Sequence, residues 1–139
     1  KLLENSEVSA EQKTEAVQVI FFSIFKHAEY FQGKKENYKA AREFQRAYEE
    51  GKKLGYGKRN ELAIAMFNSG VEYYNSKELK RSIAVFEAYA DTFKDTKEAP
   101  AALWNVQNMY SDMKEMKTAA QVGERLVDRY PNYSDGSRS

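Results

Sequence analysis

The sequence predicts an all-α fold: a right-handed superhelical stack of three antiparallel helix hairpins. Residues 77–80 (Lys-Glu-Leu-Lys) recur as Lys-Glu-Met-Lys at residues 114–117, 37 positions later. A fixed period in the thirties is typical of stacked helical repeats. Between polar, glycine-containing breaks the apolar residues follow helical rather than alternating spacing. Ala28 and Gly70 supply small side chains at matching places in the first two hairpins, where the partner helix must approach closely.

The first hairpin begins at a capping signal. Ser9 and Gln12 have the spacing of a capping box, in which both side chains bond backbone amides at a helix start. A helix is predicted from there to about Gln32. A second is predicted over residues 37–53, and the Gly-Tyr-Gly sequence at residues 55–57 ends it.

The second hairpin spans a helix at residues 60–76 and another at residues 78–93. Gly70 costs about 1 kcal/mol relative to alanine inside a helix, which indicates a close-packing role. The third hairpin begins where Asp95 and Thr96 offer a cap, and Pro100 lies early enough in the fifth helix to be tolerated.

The fifth helix runs to about residue 112 and the sixth over residues 117–130, where Pro131 stops it. The predicted organisation follows from these breaks. It is a preceding helix end or linker (1–8), three repeats (9–57, 58–96 and 97–133) and a flexible tail (134–139).

Composition excludes several functional classes. With 139 residues, 42% apolar and 14% aromatic, the chain fits one folded domain. Twenty-two basic and 21 acidic residues leave no basic footprint, which argues against nucleic-acid binding and against an RNA-reading helical repeat of similar period. The absence of cysteine excludes disulfides, thiolate metal sites and a cysteine nucleophile. The longest apolar run, residues 17–25, is too short for a membrane span.

Small and aromatic residues recur in a register that is familiar from one family. A small residue precedes an aromatic one by three positions in the first helix, and small and aromatic residues alternate in the second. The residues that carry this pattern are Ala28, Phe31, Ala40, Phe44 and Ala47, then Gly70, Tyr73, Ser82 and Phe86, then Tyr110, Ala119 and Pro131. Over about residues 9–132 the chain resembles the tetratricopeptide repeat (TPR) family. It departs from the family pattern at Tyr89, Gln107, Gly123 and Leu126.

A narrower resemblance concerns the repeat endings. Residues 82–86 leading to 93–96, and residues 129–132, are similar to the endings of bacterial envelope repeats. These occur in outer-membrane assembly lipoproteins and in periplasmic coordinators of the Tol–Pal system. This resemblance implies a bacterial cell-envelope or periplasmic location. The cytoplasm is the alternative, because similar endings occur in cytoplasmic repeat proteins.

The third helix carries a second apolar stripe, Ile64, Phe67, Val71 and Tyr74, besides the one that packs inward. A helix needs two apolar faces if it is buried on both sides or displays one to a partner. The TPR resemblance implies that this stripe lines a concave groove that binds a peptide or partner segment. It also implies an aromatic ladder and neighbouring polar residues that bond the peptide backbone. The remaining groove candidates are Phe25, Lys26, Trp104, Asn105 and Asn108, together with Asn68. The alternative is that the aromatic residues are ordinary core between repeats.

No catalytic or cofactor chemistry is predicted. His27 is the only histidine, and a partly buried packing role is expected because no nucleophile or second ligand is evident beside it. No phosphate loop, nucleophile elbow or metal motif occurs. The sequence therefore predicts a non-catalytic scaffold without metal or cofactor, whose partner is a protein or peptide.

The alternative function is homo-oligomerisation, as an assembly module of a longer repeat protein. The sixth helix is expected to direct Ala120, Val127 and Tyr130 away from its packing face. The packing face itself consists of Ala119, Val122 and Leu126. Because terminal repeats need a polar outer face for solubility, this apolar surface indicates either further repeats or a second copy.

Overall fold

The computed structural model describes residues 7–133, and this part of the chain contains six α-helices and no strand. The predicted all-α class is therefore confirmed. The helices are α1 (Ala10–Gly33), α2 (Asn37–Leu54), α3 (Arg59–Asn75), α4 (Leu79–Thr92), α5 (Ala99–Asp112) and α6 (Met116–Arg129). Each helix packs against the next one along the chain, as a stack of three hairpins requires. None of the helices between residues 7 and 133 is both long and apolar enough to cross a membrane.

The predicted helix boundaries agree with these bounds to within about one residue. The capping box is confirmed: the Ser9 hydroxyl accepts from the Gln12 amide at 3.1 Å, and the Gln12 side chain accepts from the Ser9 amide at 2.9 Å. The predictions for residues 1–6 and 134–139 lie outside the described residues. Glu7 and Val8 precede α1 and are not helical.

The predicted side-chain cap of α5 is wrong. Glu98 occupies the cap position and its side chain makes no capping bond. The Thr96 hydroxyl donates instead to the Phe93 carbonyl at 2.7 Å, and the Asp95 carboxylate accepts from Arg59. Both candidate caps are thus engaged by bonds that sequence spacing does not reveal. The place of Pro100 in the first turn of α5 is confirmed.

A lysine in the left-handed backbone region ends the first helix of every hairpin. Lys35, Lys77 and Lys114 have φ values of 59°, 67° and 64°. In each turn the amide of the following glutamate bonds the carbonyl five residues before it, at 2.9–3.0 Å, as in Glu78 to Tyr73. These are Schellman turns, in which a left-handed residue lets the last helical carbonyls find donors. The repeated Lys-Glu pair is therefore the turn itself.

The two helices of the second hairpin touch at Gly70. A Cβ atom built on Gly70 would lie 2.9 Å from ring atoms of Phe86, whose side chain is fully buried. The Ser82 hydroxyl donates to the Gly70 carbonyl at 2.8 Å in the same contact. The corresponding contact of the first hairpin contains Ala28, Ala40 and Phe44, all fully buried in one cluster. The small-residue register predicted from the sequence is therefore a packing requirement.

The third hairpin meets the same requirement with its side chains exchanged. Gln107 stands where Gly70 stands in the second hairpin, and Gly123 stands where Phe86 does. The Gln107 side chain covers Gly123, at 3.1 Å from the place of a Cβ atom there. The two departures from the family pattern thus form one compensating pair, with the larger side chain on the first helix.

The faces of α6 follow the prediction with one exception. Ala119, Val122 and Leu126 are buried, and Val127 is 65% exposed. Tyr130 was expected to point away from the fold, but it is half-buried and its hydroxyl donates to the Lys94 carbonyl at 2.8 Å. This correction arises because a long phenol can reach back to the α4–α5 connection.

Replacing Gly70 with leucine should destabilise the fold by roughly 1–3 kcal/mol, because the added side chain overpacks the contact with Phe86. The measurement is the free energy of unfolding in denaturant. Gly33→Leu is the matched control, since no described atom outside the surrounding helix backbone lies within 4 Å of the place of a Cβ atom there. Equal losses of stability in the two variants would contradict the assigned contact.

Replacing Lys77 with glycine should stabilise the fold by about 0.5–1 kcal/mol. The left-handed conformation costs an L-residue roughly 1–2 kcal/mol, and the greater unfolded-state entropy of glycine offsets only part of that gain. Lys26→Gly is the control of opposite sign: Lys26 is an exposed residue inside α1, where glycine should cost about 1 kcal/mol. Thermal unfolding of both variants tests the prediction, and a loss of stability in Lys77→Gly would contradict it.

Candidate functional site

The first helix of the second hairpin, α3, borders two cavities. The larger, about 590 Å³, lies between the start of α3 and the α4–α5 connection. The smaller, about 240 Å³, lies further along α3, between that helix and α5. We call the two cavities together the α3–α5 groove.

The apolar stripe predicted on α3 borders this groove. Ile64 and Phe67 line the larger cavity, and Val71 and Tyr74 line the smaller one. Ile64 is 50% exposed and Tyr74 is 49% exposed, so apolar surface faces solvent along the helix. Phe67 is half-buried and meets the buried ring of Phe86 edge-on at 5.1 Å. The stripe therefore contributes partly to the core and partly to the wall of the groove.

Three asparagine side chains face the groove without hydrogen bonds to any described residue. Asn68 lines the larger cavity, and Asn105 and Asn108 line the smaller one. Asn68 and Asn105 are half-buried, where side-chain amides usually find partners inside the protein, and Asn108 is exposed. An amide offers both donors and an acceptor, so these three groups are available to a ligand.

The aromatic residues of the predicted ladder occupy different surroundings. Phe25 lines a third, small cavity of about 70 Å³ between α1 and α3, beside Ile64. Trp104 is half-buried against the main core and lines none of the cavities described above. The predicted ladder is thus divided: Phe25 and Phe67 face cavities, and Trp104 packs on the core.

Lys26 lies apart from the cavities. Its ammonium group is 3.2 Å from the Glu29 carboxylate, one turn along α1, and its side chain is 75% exposed. Phe22 was missed from the sequence, although it is 44% exposed and lines the small cavity next to Phe25. The signal that could have found it is its correspondence to Ile64, 42 residues later, within the repeat.

Arg59 forms one wall of the larger cavity, and sequence reasoning missed this role too. Its guanidinium donates to the Asp95 carboxylate at 2.8 and 3.3 Å and to the Thr92 carbonyl at 3.2 Å. The same group lies 4.8 Å from the centre of the Phe93 ring. The hydrogen bond from Arg59 holds the pKa of the Asp95 carboxyl below its usual value. Nothing in the sequence pairs these residues, which are 36 positions apart.

The charges around the groove nearly cancel. Arg59 is paired with Asp95, and Lys97 and Glu98 line the same cavity. Of the described residues that line the smaller cavity, only Asp112 is charged. A strongly acidic or strongly basic ligand would therefore gain little from this surface.

Residues that could bind a metal ion are not gathered in the part of the chain described. No group of three or more histidine, aspartate or glutamate side chains there could hold a metal ion. His27 is more exposed than predicted, with 54% of its side chain open to solvent, and its Nδ1 lies 3.0 Å from a carboxylate oxygen of Glu43. Its ring packs 4.5 Å from that of Phe31.

Comparison with models of known protein families, with curated proteins and with solved structures found no match.

Replacing Arg59 with alanine should raise the pKa of Asp95 toward its ordinary value, because the hydrogen bonds to the carboxylate are lost. A lowered folded-state pKa means that the pair stabilises the fold above the ordinary carboxyl pKa and loses this effect as pH falls through the lowered value. Carbon-detected NMR titration of the Asp95 carboxyl measures the change. Arg42→Ala serves as control, since Arg42 lies beside Tyr38 instead. An unchanged titration in Arg59→Ala would contradict the assignment.

Proposed function

We propose that this chain is a non-catalytic protein-interaction scaffold that binds a peptide or an extended partner segment in the α3–α5 groove. The observation that carries the proposal is the presence of three amides without internal hydrogen bonds, Asn68, Asn105 and Asn108, in the two cavities of the α3–α5 groove. They stand beside apolar side chains that remain half exposed. No metal or cofactor enters the proposal.

The amides suit a peptide backbone. An extended segment presents N–H and C=O groups at regular intervals, and a side-chain amide can bond both kinds of group. Such contacts bind the segment whatever its side chains, as in other modes of peptide recognition that rely on the main chain. Asn68 and Asn105 occupy corresponding positions in adjacent repeats, so they offer the same contact twice along one ligand.

The apolar surface indicates what the side chains of the partner should be. Ile64, Phe67 and Tyr74 present apolar or aromatic surface to the groove, and binding energy usually concentrates in a few such anchors. Because the surrounding charges are paired or balanced, uncharged apolar side chains are the expected complement. This favours a segment with two or more hydrophobic residues over an acidic tail.

The TPR assignment belongs to the same proposal. It is supported by the small-residue contacts at Ala28 and Gly70 and by the repeated turn at Lys77 and Lys114. The bacterial envelope location rests only on the resemblance of the repeat endings, with the cytoplasm as its alternative. Fractionation of cells that carry the tagged protein tests the location.

Substituting both Asn68 and Asn105 with alanine should weaken a bound peptide by roughly 1–3 kcal/mol, the usual range for lost buried hydrogen bonds. The ligand would be a peptide selected from a random library displayed on phage against the immobilised chain. Calorimetric titration of the selected peptide into both proteins measures the effect. The melting temperature of the double variant should change little, because neither asparagine side chain makes a hydrogen bond within the described residues.

The control is Asn75→Ala with Gln121→Ala, which removes two exposed amides outside the α3–α5 groove. It should leave the affinity unchanged. The proposal fails if the groove variant and the control bind the peptide equally well. It also fails if affinity is lost only together with the fold, or if no peptide sequence is enriched.

A further inference from the structure

The turn lysines fix how the three hairpins correspond to one another. Lys35, Lys77 and Lys114 occupy the same left-handed position, 42 and 37 residues apart. A residue of the first hairpin therefore corresponds to the one 42 positions later in the second, and that residue to the one 37 positions later in the third. This correspondence shows which surfaces are covered inside the stack and open at its ends.

The outer face of α6, formed by Ala120 and Val127, is open although its equivalents are buried. Val127 is 65% exposed, and Ala120 is also exposed. In the first two hairpins the corresponding residues are at most 8% exposed and belong to one core cluster with the following hairpin. They are Ala41 and Ile83 for Ala120, and Tyr48 and Ala90 for Val127.

The outer face of α1, formed by Ser23, His27 and Tyr30, is also open although its equivalents in α3 and α5 are buried. All three residues are exposed, Tyr30 by 57%. The corresponding residues of α3 and α5 are at most 4% exposed, because the second helix of the preceding hairpin covers them. They are Ala65, Ser69 and Glu72 in α3, and Ala102, Val106 and Met109 in α5.

We infer that the outer face of α6 binds the outer face of α1 of a second copy, so that chains assemble head to tail. The contact would continue the packing of α2 on α3 and of α4 on α5, in the same register. One chain carries both halves of this contact, and the halves lie at opposite ends of the stack. Such a heterologous contact extends by further copies, as an open filament or as a ring if the rotation between copies closes.

Side-chain volumes support a second copy as the partner of the outer face of α6. Inside the stack Tyr48 and Ser69 line one small cavity, with the large residue on the second helix. At the proposed contact the corresponding residues are Val127 and His27, so the larger side chain is on the first helix. The chain already makes one such exchange internally, between the Gly70–Phe86 and Gln107–Gly123 pairs.

Charge supports it as well. Gln45 and Glu49 line the same small cavity as Ser69, and their equivalents on α6 are the exposed acids Glu124 and Asp128. These would face His27 of the second copy. Nδ1 of His27 is bonded to Glu43 within its own chain, so Nε2 can donate to a partner carboxylate when the ring is the imidazolium.

Sedimentation velocity of the 139-residue chain, from micromolar to about 1 mM, tests the inference. We expect association that continues beyond dimers as concentration rises. Val127→Glu and Tyr30→Glu should each weaken it by at least about tenfold, since each places a carboxylate in one of the two contacting faces. Each variant retains one intact face, so an equimolar mixture should form a 1:1 complex that grows no further.

Leu54→Glu is the control, because Leu54 is 39% exposed and lies on neither outer face. It should associate like the parent chain, and circular dichroism should be unchanged for all variants. A chain that stays monomeric up to the highest concentration overturns the inference. So does a dimer that survives Tyr30→Glu, which would mean that two α6 faces pair with each other. Groove residues are absent from this test, so its failure leaves the peptide-binding proposal unaffected.

Discussion

The stack depends on how closely the two helices of each hairpin approach at their centre. In the second hairpin the ring of Phe86 lies against the backbone of Gly70, where a Cβ atom would be only 2.9 Å away. Protein interiors are packed densely enough that such a contact fixes the separation and rotation of both helices. Once α3 is fixed in this way, Ser69 and Tyr73 face the core and Ile64 and Tyr74 remain exposed. The groove is a consequence of that rotation.

The turn before each second helix sets the rotation of that helix, and so determines which of its side chains meet the first helix. A glycine at the left-handed position would relieve strain, yet all three turns have lysine there. The Schellman bonds of the turn, such as that from Glu78 to the Tyr73 carbonyl, hold the helix end in this conformation. The three equivalent turns therefore start α2, α4 and α6 at corresponding angles, and the residues that follow keep the same register.

Most of the architecture could be predicted from the sequence because its causes are local. The capping box at Ser9, the proline in the first turn of α5 and the helical spacing of apolar residues act within a few positions of the chain. The missed features depend on contacts between distant residues. Asp95 looks like a cap until Arg59, 36 positions away, engages it. In the sequence, Gln107 and Gly123 are two separate departures from the repeat pattern. In the structure the Gln107 side chain packs on Gly123.

The candidate groove was predictable in part, for the same reason. Spacing identified the stripe of Ile64, Phe67, Val71 and Tyr74, because a helix face is a local property. The extent of the cavities could not be predicted, since Arg59 and the α4–α5 connection form part of the wall. Phe22 was missed because it faces the solvent beside α3, which only the stacking of the hairpins brings near it.

Peptide binding in the groove and head-to-tail assembly both involve the surroundings of Trp104. Its equivalent in the second hairpin, Phe67, lines a cavity whose other wall includes the α4–α5 connection, whereas no described helix follows α6 beside Trp104. If a second copy stacks head to tail, its α1 takes that place and brings Phe22 and Phe25 toward Trp104. Asn105 would then have a following hairpin beside it, as Asn68 already does. Assembly would thus lengthen the groove, and a ligand that spans the junction would bind two copies more tightly than one.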